Sequence, residues 1–226
     1  MAMQLDSIVP FGRSFDEYVK MFSLTEADLN QSILSVADGP ASFNAEGTER
    51  GDRIQSLDPL YAFSALEIRN RFYAVRNNII QQIRDTPEDW VWSYHASPDD
   101  LQAKRTQVTE RFVADYEQGK QQGRYTVGSL PELPYADNAF ELGLCSHFLF
   151  LYSEQLDTDF HIKAIASMLR VCKEVRIFPL LTLMREHSPH LEAVIQHFEK
   201  NDIASEITPV AYELQKGGNK MLKLTK

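Results

Sequence analysis

Ile33-Leu34-Ser35-Val36-Ala37-Asp38-Gly39-Pro40-Ala41-Ser42-Phe43 holds the pattern most able to support ligand chemistry. An apolar run enters a turn of small residues, and a helix leaves it. A strand, tight turn and helix N-terminus make a nucleotide-type site in an open α/β sheet. Asp58 ends a second short run, Arg53-Ile54-Gln55-Ser56-Leu57, about twenty residues beyond the turn. A carboxylate there has two readings: it accepts from both vicinal hydroxyls of a ribose, or it caps the turn opened by Pro59. His147 follows the apolar run Leu142-Gly143-Leu144-Cys145-Ser146, so it stands at a strand's C-terminal end, as a general base or a loop-holding residue. Tyr152 and His161 lie on the same side.

The elements around these residues follow from their patterns. Ser14 and Glu17 have capping-box spacing, and Phe15, Tyr18, Val19 and Phe22 recur at helical intervals. A second short helix is expected from Thr25. Residues 10–32 therefore form a helical flap, either packing on the sheet edge or covering a ligand. Gly51 stops the helix 42–50. A strand-to-strand crossover needs only one helix, whereas 62–123 has room for three. Within it lies Trp90-Val91-Trp92-Ser93-Tyr94-His95, and Ser97-Pro98 opens a helix reaching about Gly119. This insert would be either core filling or a cap lining a pocket. A further strand with its exit loop is expected over 125–130, and strands over 142–146 and 174–181, with a helix over 159–173 and another opened by Ser188-Pro189. A closing hairpin is expected over 210–225, turning at Gly217-Gly218.

Two stretches carry a family resemblance. Leu133-Pro134-Tyr135-Ala136-Asp137-Asn138-Ala139-Phe140-Glu141-Leu142-Gly143-Leu144-Cys145 resembles a recurring line of the class I S-adenosylmethionine (SAM) methyltransferases, and the Ile33–Phe43 stretch resembles their first motif. That motif is an acid followed by Gly-x-Gly-x-Gly; here the positions read Ser35, Ala37, Gly39 and Ala41. With Arg170–Leu180, the resemblance narrows to a bacterial methyltransferase-like family whose substrate is not established. It implies an α/β fold with a Rossmann-like seven-stranded sheet, mostly parallel, and a C-terminal antiparallel hairpin; the helical insert at 62–123, between the second and third strands, departs from the minimal form of that family. It also implies SAM as cofactor, with S-adenosylhomocysteine as product. The implied cofactor site comprises Tyr18, Ala37, Asp38, Gly39, Pro40, Asp58, Pro59, Ser129, Leu130 and Ser146, with His147 as catalytic base. Arg13 or Tyr18 would reach the methionine end, and Asp38 would stand in for the acid missing at Ser35. Ser129 replaces the usual adenine-binding acid.

Composition limits the alternatives. The chain has 226 residues, 43% hydrophobic and 24% charged, and a formal charge of -9. It is long enough for one full domain, expected over 1–226, and has no basic footprint for nucleic acid. The insert carries 8 Lys/Arg and 9 Asp/Glu, so it is no basic arm. The expected partner is a small-molecule acceptor, with no nucleic acid and no membrane; a homodimer stays open. Cys145 and Cys172 form no C-x-x-C, which fits buried thiols in a cytoplasmic protein. The start Met1-Ala2-Met3-Gln4-Leu5-Asp6 lacks the pattern of a signal peptide. No metal is expected: His187 and His190 straddle Ser188-Pro189, and with His197 they find no further ligand. No P-loop and no Gly-x-Ser-x-Gly elbow is present. Two functions stay open, a small-molecule methyltransferase and a non-catalytic relative serving as a partner subunit.

Overall fold

The computed structural model describes residues 9–226, so the expectation for the first six residues lies outside it. Helices α1 (Phe15–Met21) and α2 (Glu26–Leu29) lead into β1 (Ser32–Val36). Both begin at capping boxes, Ser14 with Glu17 and Thr25 with Asp28. Each box satisfies two backbone N–H groups that a helix start leaves open. After β1 come α3 (Phe43–Arg50) and β2 (Arg53–Leu57). The left-handed Gly51, φ 93°, stops α3.

The long crossover contains two helices rather than three, α4 (Ala65–Asp85) and α5 (Pro98–Gln121). Short 3-10 turns at Pro59–Ala62 and Pro87–Asp89 take up the remaining length. Ser97 caps α5, accepting from Asp100 N–H at 3.1 Å, and Pro98 takes its first position, where no N–H is needed. Then follow β3 (Tyr125–Thr126), β4 (Phe140–Ser146), α6 (Thr158–Val171), β5 (Cys172–Phe178), α7 (Leu191–Glu199), β6 (Ala204–Pro209) and β7 (Lys220–Thr225).

The sheet order is β3-β2-β1-β4-β5-β7-β6, and only β7 runs antiparallel to its neighbours. The fold is thus α/β, with the Rossmann-like, mostly parallel sheet and C-terminal antiparallel hairpin of class I methyltransferases. Helices cover both faces, which is why β1 and β4 read as nearly unbroken apolar runs. One face packs on α6 and α7 through Ile165, Met168 and Val194, the other on α1 and α4 through Phe22, Phe72 and Ile80. Strand order reverses between β1 and β4, so a crevice opens beyond their C-terminal ends.

Two expectations are corrected. The strand paired with β7 is Ala204–Pro209, not residues 210–215. Tyr212 and Leu214 instead turn into the core beneath the insert, where Val91 N–H donates to Leu214 O at 2.8 Å. The apolar text at 210–215 therefore marks a packed loop. Ser188-Pro189 does not open α7 either; the helix begins at Leu191, after His190 N–H donates to the Ser188 hydroxyl at 3.2 Å.

Candidate functional site

The C-terminal ends of β1, β2, β4 and β5 open onto a cavity of about 640 Å³. Every residue expected at the site lines it: Tyr18, Ala37, Asp38, Gly39, Pro40, Asp58, Pro59, Ser129, Leu130, Ser146 and His147. Tyr152 lines it too, but His161 does not; His161 is fully buried against Phe150 and His190.

The turn after β1 is built on left-handed backbone. Gly39 has φ 56°, and a methyl group added there would meet nothing within 4 Å. Ala37 has φ 54°, a conformation that costs a residue with a Cβ about 1–2 kcal/mol. His147 has φ 52° directly after β4. Two strained non-glycine residues thus flank one cavity at the ends of neighbouring strands, and such strain clusters at functional sites.

Two carboxylates hold the turn. Asp58 accepts from Leu60 N–H at 2.7 Å and, through its other oxygen, from Gly39 N–H at 2.9 Å. It therefore caps the turn before Pro59 and also fastens the end of β2 to the turn after β1. Each oxygen keeps further acceptor capacity. Burial pushes this carboxyl up to about 6, against the two backbone hydrogen bonds. Asp38 points inward and accepts from Ser35 Oγ at 2.5 Å, Ser56 Oγ at 2.6 Å and the Tyr18 hydroxyl. Burial raises its pKa, opposed by those hydroxyls. Ser35 is thus a support for Asp38.

The N-terminal segment closes over the turn. A Cβ on Gly12 would lie 2.2 Å from Pro40 O, so only glycine allows this approach. The backbone oxygen of Arg13 accepts from Ser42 N–H at 3.1 Å, and Tyr18 stacks on Phe43 at 4.3 Å between centroids. Residues 10–32 thus pack on the sheet and also contribute Phe11, Arg13 and Tyr18 to the cavity. The role of Gly12 has no sequence signal, because the approach is between segments nearly thirty residues apart.

On the opposite side the insert supplies a wall. Arg71, Val75, Ile79 and Ile83 of α4, Trp90 of the linker and Leu101 and Arg105 of α5 all face the cavity. Of the aromatic patch, only Trp90 does so. Tyr94 donates to Asp16 at 2.7 Å and His95 lies 3.3 Å from Glu17, so these two bind the insert to α1. Glu17 is the centre of that join. It accepts from both terminal nitrogens of Arg105 at 2.6 Å and from the Tyr212 hydroxyl at 2.8 Å, all fully buried. Burial would raise the Glu17 pKa, but the Arg105 charge and the His95, Arg105 and Ser14 hydrogen bonds hold it well below the usual range.

His147 faces the cavity from the end of β4. Its Nδ1 lies 2.8 Å from Ser146 Oγ, its N–H donates to Phe178 O at 2.6 Å, and its ring meets Phe178 edge to face. Burial, then the charges of Arg13 and Arg105, keep its pKa well below the usual histidine range. The imidazole is therefore neutral near pH 7.

Among the described residues, no cluster of three His, Cys, Asp or Glu could hold a metal, and no helix is long and apolar enough to cross a membrane. Cys145 and Cys172 are buried free thiols.

No protein-family model matches the chain. Among solved structures, the magnesium protoporphyrin IX methyltransferase of Synechocystis PCC 6803, with bound SAM, aligns at TM-score 0.48 and 10% identity. The alignment covers 94% of this chain and 77% of that one. A SAM-dependent methyltransferase of Aquifex aeolicus aligns at TM-score 0.41 and 12% identity, over 92% and 90%. These likenesses are too distant to carry chemistry, and the architecture rests on this chain's own strand order. The uncharacterized protein MJ0045 of the archaeon Methanocaldococcus jannaschii is 33% identical over 221 residues, 97% of both chains. By that identity over nearly its whole length, the chain belongs to the family of MJ0045.

Proposed function

We propose that the protein binds SAM and transfers its methyl group to a small molecule. The observation that carries this reading is that one cavity at the β1–β4 reversal joins the Gly39 turn, Asp58 and His147. A cavity of about 640 Å³ falls in the range of small-ligand pockets, about 300–1,000 Å³. The residues present fit the cofactor. Asp58 has acceptor capacity left for ribose hydroxyls, and Gly39 leaves open space beside it. Ser129 and Leu130 form the adenine end, served by backbone groups.

When bound, SAM supplies an electrophilic methyl on a sulfonium. The protein's own contribution is to orient the acceptor, exclude water and remove a proton. Methyl transfer gains mostly from proximity and alignment, so no further catalytic signature is required. His147 Nε2 is the proton acceptor, while Ser146 holds Nδ1. The acceptor is small because the cavity has the size of a small-ligand pocket and is walled by the insert and the N-terminal segment, and the chain's negative charge disfavours nucleic acid. We place the protein in the cytoplasm, a reading supported by its two buried free thiols.

The second reading is a methyltransferase-like binding or partner subunit without catalysis. It is favoured by Asp38, whose carboxyl already takes three hydroxyl donors and so has little left for a cofactor ammonium. Calorimetry with SAM and S-adenosylhomocysteine is the test. Micromolar binding of both supports the proposal, and no heat with either at millimolar ligand refutes it. Binding without turnover on an extract of small metabolites selects the second reading.

A further inference from the structure

The cavity is unevenly charged. Its carboxylates, Asp38 and Asp58, stand at the ends of β1 and β2. Of the cations that line it, Arg13 of the N-terminal segment and Arg105 of α5 act on each other and on His147 at the end of β4. Arg105 is neutralised by Glu17 through two contacts of 2.6 Å. Arg13 is not. Among the described residues its side chain donates only to the Phe11 carbonyl, its buried Nε has no hydrogen-bond partner, and no carboxylate forms an ion pair with it. The nearby Arg105 charge adds repulsion, and burial followed by that charge lowers the Arg13 pKa. Glu17 attracts the Arg13 charge from a distance but is already spent on Arg105. A buried cation without a paired anion is costly, and an anionic ligand relieves that cost.

The surroundings describe the remainder of the ligand. The cavity that Arg13 lines also has an apolar set: Phe11, Ile79, Ile83, Trp90, Leu101 and Leu214. None of these belongs to the strand ends assigned to the cofactor. Arg13 and the candidate base His147 line the same cavity, and the Arg13 charge lowers the His147 pKa. Arginine suits this task, since its planar fork matches a carboxylate and stays charged.

We infer that Arg13 is the anchor for an acidic group on the methyl acceptor, which is a small molecule with an apolar body and one carboxylate or similar anion. The inference rests on the methyltransferase reading for the word acceptor; the anion site itself does not. The competing source of a carboxylate is the amino-acid end of the cofactor.

Two probe pairs separate the sources. The first is anionic 8-anilinonaphthalene-1-sulfonate against neutral N-phenyl-1-naphthylamine, both followed by fluorescence. The second is S-adenosylhomocysteine against 5′-methylthioadenosine, which lacks the amino-acid end, both followed by calorimetry. The proteins are wild type, Arg13→Gln and Arg13→Lys, each checked for an unchanged thermal midpoint. Arg13→Gln should weaken the anionic dye about ten- to a hundredfold, the value of a charged hydrogen bond. It should move the neutral dye and both nucleosides less than about twofold, and Arg13→Lys should restore part of the loss. Equal effects on both dyes, or no binding of the anionic dye to wild type, overturn the anion site. A loss for S-adenosylhomocysteine without loss for 5′-methylthioadenosine assigns Arg13 to the cofactor and overturns the acceptor role. Failure of wild type to bind either nucleoside refutes the methyltransferase reading alone, while the dye pair still decides the anion site.

Discussion

Gly39 donates its backbone N–H to Asp58 Oδ2 at 2.9 Å, so one carboxylate ties the turn after β1 to the exit of β2. The same carboxylate caps the next turn through Leu60. The cap expected of Asp58 is thus formed, and the acceptor capacity left on its two oxygens is what the proposed ribose contact would use.

This arrangement makes Asp58 sensitive to pH. Burial raises its pKa from 3.8 to about 6. Between those values the native state holds more protons than the unfolded chain, so the Asp58 contribution to stability falls as pH rises through the window. The fall is at most about 3 kcal/mol. Relative to Asp58→Asn, wild type should therefore lose stability between pH 4 and 7 in denaturant titrations. Parallel pH profiles would contradict this. Ribose hydroxyls need the ionised carboxylate, so affinity for S-adenosylhomocysteine should decline below about pH 6 in wild type. Asp58→Ala should weaken that affinity about ten- to a hundredfold at pH 7.5.

Glu17 is the join between the N-terminal segment, the insert and the loop before β7. Glu17→Gln leaves Arg105 buried without its counter-charge, which costs about 3–5 kcal/mol. The pKa of Glu17 is held well below 4.5, so its contribution is complete above that value and disappears as pH falls. Denaturant titration of the variant at pH 7 should show the loss, and the gap should narrow in acid. A variant within about 0.5 kcal/mol of wild type would mean that the pair does not hold the three segments together.

Much of this was legible in the text of the chain. The apolar runs at 33–36 and 142–146 announced the central strands, because a strand buried on both faces needs no polar alternation. The caps at Ser14, Thr25 and Ser97 and the stop at Gly51 are local signals, and all are observed. Long-range arrangements were not legible. Ala204–Pro209 is a half-exposed edge strand with little apolar content, so it carried less strand signal than the loop that follows it. Glu17 read as a capping-box acid, yet its main partner, Arg105, lies 88 residues away. The bond between Asp38 and Ser56 likewise joins the turn after β1 to β2 through a contact that no spacing rule describes.

His147 should govern turnover and not cofactor affinity. Burial, with Arg13 and Arg105 nearby, keeps it neutral at pH 7. The acid limb of the kcat profile should therefore lie below the usual histidine range near 6.5. His147→Ala should lower kcat about 10²- to 10⁴-fold, the usual size of a general-base contribution. The rate is read as S-adenosylhomocysteine released with a fixed extract of small metabolites. Affinity for S-adenosylhomocysteine should change less than about twofold. Equal kcat in variant and wild type would remove His147 from the mechanism.

The insert wall should choose the acceptor. Ala74 is exposed on α4 and lines the cavity, so a larger side chain there can project into the opening without displacing buried neighbours. A substitution at an exposed helical site far from caps and ion pairs usually moves stability by less than about 0.5 kcal/mol. Ala74→Trp should thus fold normally and narrow the acceptor side. Gly39, Asp58 and Ser129 lie on the sheet side of the same cavity and should be unaffected. The expected outcome is at least about a tenfold loss of affinity for the anionic dye, with S-adenosylhomocysteine binding kept within about twofold. The reverse pattern, nucleoside binding lost and dye binding kept, would place the cofactor against α4 and show that the insert covers the cofactor instead of the acceptor.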